Sequence, residues 1–198
     1  MSIIKPFSAD DVLVGELCAS LALHCGIESA TANLFGKAAE LHDVGKCKVP
    51  ENILFKQGSL TPDEFRVVKT HTIWGCSVLK DLQGDFGVMA RNICAWHHEN
   101  FDKCGYWSKS LDEVPPYVPL VTICDVYIAL ISSNRPYKQP WPHEQAIGYI
   151  KEQAGRQFSP ALINSFLSMM DETSFQASLE PHSFPLRYNL PNKPRQMQ

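Results

Sequence analysis

Leu41-His42-Asp43-Val44-Gly45-Lys46 closes a run, Ser29 to His42, that reads as an amphipathic helix with Leu34, Ala38 and Leu41 toward a core. Successive helical residues turn by ~100°, so the His42 imidazole and the Asp43 carboxylate point to adjacent sectors. Both can lean over one helix end toward a cation, and Asp43, with two oxygens, can bridge two. Gly45 is a natural helix stop. Lys46 places a positive charge beside the pair, where a phosphate could meet it. A lone His-Asp dipeptide is weak evidence, because most are solvated or satisfied polar groups. The companions raise its weight: Lys69-Thr70-His71, His97-His98-Glu99, and Asp125 inside an apolar run. All are ligand-type residues near the ends or on the faces of expected helices.

Working outward, helix signals recur along the chain. Ser8 is an N-cap ahead of Asp10 and Asp11, and Gly26 ends a helix with Leu13, Leu17, Leu21 and Ala22 on one face. Cys47 to Leu60 is a loop with one short turn at Glu51 to Phe55. Thr61-Pro62-Asp63-Glu64 combines an N-cap, a first-turn proline and a capping-box glutamate. It opens a helix that carries His71 and runs to about Leu82. Residues 86 to 97 form the next helix, Glu99 to Pro116 a long loop, and Val118 to Ser132 an apolar helix around Asp125. Pro142 and Pro160 start two more. No strand pattern persists, and there is no internal repeat. The expectation is an all-α bundle of about six to eight helices over residues 1–172, followed by a proline-rich, partly irregular tail over 173–198.

A chain of 198 residues with 44% hydrophobic and 20% charged residues suits one soluble globular domain. A net charge of −3 leaves no footprint for DNA, RNA or an anionic membrane. No segment approaches the ~20 apolar residues of a membrane span. The seven cysteines are scattered without a C-x-x-C pair. That pattern fits neither a disulfide framework nor a thiolate zinc site, and points to a reducing cytoplasm.

Imidazoles with carboxylates favour iron, manganese or zinc. Two such cations can clamp a phosphodiester and activate a water at neutral pH. Asp43 suits the bridge, and His42, His71, His97, His98 and Asp125 can fill the remaining positions. Simpler readings exist for some. His71 could be a surface helix residue, and His97 and His98 could cap a helix C-terminus. Asp125 is harder to explain so, because an unpaired carboxylate in Leu120-Val121-Thr122-Ile123-Cys124-Asp125-Val126-Tyr127 would be costly.

The matching pieces LHDVGKCKVPENILFKQGSLTPDEF, VKTHTIWG, WHHENFDKCGY, VTICDVYIAL, NRPYK, PHEQAI and GRQFSPALI occur in one order across roughly residues 26 to 170. In this the chain resembles the HD-GYP family, a branch of the HD phosphohydrolase superfamily. The resemblance implies a helical bundle with a polynuclear centre, usually iron or manganese, that hydrolyses cyclic di-GMP to pGpG or GMP in a signalling role. It implies His42, Asp43, His71, His97, His98 and Asp125 as metal ligands. It also implies Asp43 and Lys46 in catalysis, with Lys46, Tyr106, Arg135 and Lys138 toward the substrate.

Three departures shape the expectation. The family's Gly-Tyr-Pro reads Gly105-Tyr106-Trp107, and Trp107 lacks proline's fixed φ, which opens another path to the loop. The usual Asp-Gly before it reads Asp102-Lys103. The first helix lacks the histidine ligand common in the family: the corresponding position falls near Asp10, for which a first-turn charge or capping role is the simpler reading. The expected cofactor is therefore two divalent ions. No separate receiver or sensory domain is expected before residue 8, so regulation would have to come from a signalling protein partner, or the activity has no built-in input. The alternative is a degenerate relative that binds nucleotide or a protein without turnover, and a third is a phosphohydrolase of another nucleotide.

Overall fold

Ser8 and Asp11 cap each other, side chain to backbone in both directions, and this starts α1 (Ala9–His24). The helix ends at Cys25, and Gly26 follows at φ 84°, a left-handed value that costs glycine little. The computed structural model describes residues 4–133 and 139–171. Within them the chain is helical, with no strand and only an isolated bridge between Ala154 and Phe158.

The second helix, α2 (Ser29–Ala39), buries Ala32, Phe35, Gly36 and Ala39, one stripe at helical spacing. Phe35 therefore faces the core, and Leu34, expected there, is left 37% exposed. The rotation is set by the crossing with α1. A Cβ on Gly15 would lie 2.6 Å from the Gly36 carbonyl oxygen, and one on Gly36 equally close to that of Gly15. Only a glycine-on-glycine contact permits this approach, and it fixes which face of α2 turns inward.

The helix was expected to reach His42 but stops three residues earlier. Leu41, His42 and Val44 donate to the carbonyls of Ala38, Ala39 and Leu41, three residues back in each case. The chain thus tightens into a turn and then a 3₁₀ turn, Val44–Lys48. His42 and Asp43 stand in this tightened turn. Gly45 is not a left-handed helix stop. It is a contact point: a Cβ there would overlap the His71 carbonyl oxygen and the Gly75 nitrogen, and would lie 2.9 Å from the Gly75 Cα.

After the single turn α3 (Glu51–Leu54), Thr61 and Glu64 form the expected capping box of α4 (Pro62–Lys69). The expected single helix from Thr61 breaks at Thr70, and α5 (His71–Val78) continues beyond it. Thr70 bonds its own hydroxyl to the Val67 carbonyl at 2.6 Å, and His71 takes that of Val68, so the ladder is interrupted where His71 must turn inward. Then come α6 (Gly84–Trp96), α7 (Val118–Ile131), α8 (His143–Glu152) and α9 (Pro160–Asp171). With α4 and α5 end to end and α3 a single turn, the described residues agree with the all-α bundle.

The core is shared by α1, α2, α6, α7, α8 and α9. Leu21, Ala38, Ile93, Cys124, Ile150 and Phe166 are wholly buried in it. Each such leucine, isoleucine or phenylalanine contributes about 1.5–3 kcal/mol. All seven cysteines are free, with Cys18, Cys94 and Cys124 acting as small buried apolar groups. No helix among the described residues is long and apolar enough to cross a membrane. The expected tail over 173–198 lies outside the described residues.

Candidate metal centre

Four segments meet at one point. The turn after α2 brings His42 and Asp43, the start of α5 brings His71, the end of α6 brings His97 and His98, and the middle of α7 brings Asp125. Close packing of Gly45 on α5, and of Gly75 on Cys94, whose Sγ would lie 2.9 Å from a Cβ added at Gly75, pulls the first three together. The six expected ligands all fall in this cluster. Asp43, His71, His97 and His98 place one donor atom each within 4.8 Å of one another, and so do His42, His97 and Asp125.

The rings are oriented for ligation. His42 Nδ1 lies 2.9 Å from the Ala39 carbonyl, His71 Nδ1 2.8 Å from that of Val68, and His97 Nδ1 3.0 Å from that of Ile93. A carbonyl can only accept, so each Nδ1 carries the proton and donates it. The neutral rings of His71 and His97 then aim Nε2 lone pairs into the centre, and His42 turns its Nε2 there as well. His71 Nε2 and His97 Nε2 are 3.4 Å apart. Two lone pairs at that separation repel unless something positive lies by them. Asp43 stands in the middle. Its Oδ1 is 3.2 Å from His71 Nε2 and 3.7 Å from His97 Nε2, and its Oδ2 is 3.4 Å from His42 Nε2. His42 Nε2 is also 3.6 Å from Asp125 Oδ1.

Proximity here is not hydrogen bonding. Among the described residues, His42 Nε2 and Asp43 Oδ1 are buried polar atoms without a hydrogen-bond partner. Leaving such atoms unpaired costs about 1–3 kcal/mol each. Divalent cations fit this donor set: they would satisfy both orphaned atoms and the facing lone pairs together.

The electrostatics follow from burial and charge. Burial holds His71 below, and His97 well below, the usual histidine range, and brings His98 down to about 4. Burial opposes charge on Asp43, but Lys46 and His42 outweigh it and hold the carboxyl well below its normal range. Asp125 is also depressed: burial pushes it up, and the neighbouring His42, 3.6 Å away, overcomes that. His42 goes the other way. Burial would lower it, yet the charges of Asp43 and Asp125 raise it well above normal. A proton on His42 Nε2 and a cation there are alternatives that answer the same two carboxylates, so metal binding would displace the proton.

Lys46, one turn on, forms an ion pair with Asp43 Oδ2. Against burial, Asp43 and Asp125 raise its pKa, so it stays an ammonium. Tyr106 stacks on His98 with ring centroids 4.2 Å apart, and burial pushes its phenol up to about 12. Arg135 and Lys138, the two other expected substrate contacts, lie outside the described residues.

Three acidic residues have roles that the sequence did not reveal. Asp10, the position counted as the family's ligand, accepts the Ser132 hydroxyl on Oδ1 at 2.8 Å and is not among the residues grouped within ligand reach of one another. Asp11, its neighbour, is 3% exposed and lies within ligand reach of His42 and Asp43. A signal existed: Asp11, Val14, Cys18 and Leu21 share one helical stripe, and all four are buried. Both Asp11 oxygens are engaged, by the amides of Phe7 and Ser8 and by the Ser8 hydroxyl. Glu99 is 1% exposed and is no ligand; its carboxylate accepts the amides of Trp107 and Lys109.

The model of the family described as "HD domain" matches residues 4–162. A probable cyclic di-GMP phosphodiesterase of Vibrio cholerae is 39% identical over 146 residues, which are 70% of this chain and 32% of that protein. A cyclic di-GMP phosphodiesterase of Thermotoga maritima is 35% identical over 80% of this chain and 43% of its own length. A 3′3′-cGAMP-specific phosphodiesterase of Vibrio cholerae is also 35% identical, over 82% of this chain and 31% of its own. The chain thus spans less than half the length of these relatives. Among solved structures, the HDG"Y"P protein Bd1817 of Bdellovibrio bacteriovorus superposes with a TM-score of 0.64 at 22% identity, over 81% of this chain and 51% of that one. The HD domain of the Listeria monocytogenes phosphodiesterase PgpH, in complex with cyclic di-AMP, gives 0.58 at 20% identity, over 85% and 90%. The fold, the order of the motifs and these similarities agree: the chain belongs to the HD domain family, in its HD-GYP branch.

Proposed function

We propose that this domain is a metal-dependent phosphodiesterase that hydrolyses a cyclic dinucleotide, cyclic di-GMP to pGpG. The observation that carries the reading is the pair of orphaned buried atoms, His42 Nε2 and Asp43 Oδ1, amid inward-facing imidazole nitrogens. His71, His97 and His98 with Asp43 Oδ1 would hold one cation, and His42 and Asp125 with Asp43 Oδ2 the other. Iron or manganese suits this nitrogen and oxygen set. Such ions supply Lewis acidity toward the phosphoryl oxygen and a water acidified to react at neutral pH.

The chain's own residues would do the rest. Asp43 reaches toward His71 and His97 through Oδ1 and toward His42 through Oδ2, which supports its role as the bridge. Lys46 keeps its proton beside Asp43 and can stabilise the charge that builds on phosphate, or donate to the leaving oxygen. Tyr106 stays a neutral phenol and offers a ring face and a donor to the ligand. Arg135 and Lys138 are assigned to substrate phosphate by motif alone. Asp11 is occupied in its capping box, and Asp10 is engaged by the Ser132 hydroxyl. That favours two ions over three, and pGpG over GMP as product.

The relatives named for cyclic di-GMP support the substrate, and those named for 3′3′-cGAMP make base preference the question to test. The test is metal analysis of anaerobically purified protein, then turnover of cyclic di-GMP, 3′3′-cGAMP and cyclic di-AMP with iron and with manganese. About two ions per chain and pGpG release are expected. Full metal loading without turnover of any of the three would replace this reading with the non-catalytic regulator.

A further inference from the structure

Where the family pattern has Gly-Tyr-Pro, this chain has Gly105-Tyr106-Trp107, and Trp107 makes two hydrogen bonds that proline has no N–H to make. Its backbone amide donates to Glu99 Oε1 at 2.8 Å. Its indole Nε1 donates to the Thr72 hydroxyl at 3.1 Å. Thr72 is buried next to His71, and its own hydroxyl proton goes to the Lys69 carbonyl at 3.0 Å. The other oxygen of Glu99 takes the Lys109 amide, also at 2.8 Å. A buried carboxylate thus holds the loop on both sides of Ser108, and an indole ties it across to α5.

Between these ties the loop closes tightly over Glu99. A Cβ at Gly105 would lie 2.5 Å from the Glu99 Cα and 2.6 Å from the His98 carbonyl oxygen. Tyr106 donates its amide to that carbonyl at 3.3 Å. Its ring is thereby set on His98, with Phe65 edge-on at 5.7 Å and the Lys69 ammonium 5.0 Å from the ring centroid. Lys103 and Ser108, on either side, are held at φ 65° and 56°, a left-handed conformation that is unfavourable for a side-chain-bearing residue. An unanchored loop would relax out of it.

We propose that Glu99 and Trp107 are positioning residues: through two amides and an indole N–H they hold Tyr106 on His98, at the mouth of the metal centre, for contact with the ligand. Trp107 replaces the stiffness of a proline ring with hydrogen bonds to two different segments. The functional half of this proposal rests on the phosphodiesterase reading above, whereas the anchoring half does not.

The test uses Trp107→Phe, which removes only the indole bond, Trp107→Pro, which removes both, and Glu99→Ala with Glu99→Gln as its conservative partner. Amide exchange over residues 99–110 and metal content are measured on each, alongside kcat and KM for cyclic di-GMP. One neutral hydrogen bond corresponds to about 2–10-fold. Trp107→Phe should raise KM by about that factor, with kcat within about twofold and metal content unchanged. Trp107→Pro should raise it further. Exchange of the Lys109 amide should accelerate in Glu99→Ala and be partly restored in Glu99→Gln, which keeps one accepting oxygen. Unchanged exchange and unchanged KM in both Trp107 variants would overturn the proposal, as would metal loss in parallel with loop loosening. If the wild type turns over no cyclic dinucleotide, the phosphodiesterase reading fails, and the exchange pattern alone decides whether Glu99 and Trp107 anchor the loop.

Discussion

Gly45→Ala is the substitution that most directly tests how the centre is assembled. The new methyl group would overlap the His71 carbonyl oxygen and the Gly75 nitrogen, and lie 2.9 Å from the Gly75 Cα. All three are backbone atoms, so no side chain can swing aside. Ordinary carbon contacts are ~3.5–4 Å, so the turn must retreat from α5 by about 1.5 Å. Overpacking of this kind costs ~1–3 kcal/mol. For a chain of this size that lowers Tm by ~2–12 °C. The same retreat separates Asp43 Oδ1 from His71 Nε2, now 3.2 Å apart, so metal affinity should fall together with stability. The control is Gly148→Ala inside α8, where a Cβ meets nothing within 4 Å. There the loss of backbone entropy in the unfolded chain dominates, and the variant should gain ~0.5–1 kcal/mol. Thermal melts and metal analysis of both variants suffice. A Gly45→Ala protein that melts at the wild-type temperature and keeps its full metal content would refute the close-packing argument.

Asp43→Ala should lose most bound metal and all phosphodiesterase activity while its far-ultraviolet circular dichroism stays helical; wild-type metal content would exclude Asp43 as the bridge. Lys46→Ala should keep its metals and lose about 10²–10³ in turnover, as removal of one charge-stabilising donor does elsewhere; loss of metal instead would make the lysine a structural partner of Asp43. The metal-free protein should lose thermal stability as pH falls from about 6.5 toward about 4, because His98 is held neutral at about 4 in the fold and protonates near 6.5 once unfolded. That contribution is fully present above pH 6.5, so His98→Gln should flatten the slope in this window, and an unchanged slope would assign it to other groups.

Much of the fold was legible because its signals are local. The Ser8 and Thr61 caps, the Gly26 stop, the first-turn proline at Pro160 and the apolar helix around Asp125 each depend on a few neighbouring residues. The six ligand candidates were legible for a related reason: ligand chemistry leaves a mark in residue type, and an acid within an apolar run needs a cation or a donor beside it. Errors came where two segments had to be combined. Leu34 and Phe35 differ by one helical step, and only the glycine crossing of α1 on α2 decides which is buried. His42 was placed on a helix that in fact tightens after Ala39. The helix through His71 breaks at Thr70 because His71 must turn in.

Sequence alone determined the class of this protein: an all-helical domain whose histidines and aspartates, taken with the order of its motifs, mark an HD-GYP relative. It could not say which of two adjacent acids, Asp10 or Asp11, looks toward the centre, since both satisfy first-turn electrostatics equally well. Nor could it say that Gly45 serves a contact rather than a helix end, that Glu99 is an anchor rather than a ligand, or that Trp107 ties its loop to α5. Those choices depend on atoms that are distant in the chain and within about 3–4 Å in the fold, where excluded volume and hydrogen-bond geometry act. Tertiary packing alone decided them.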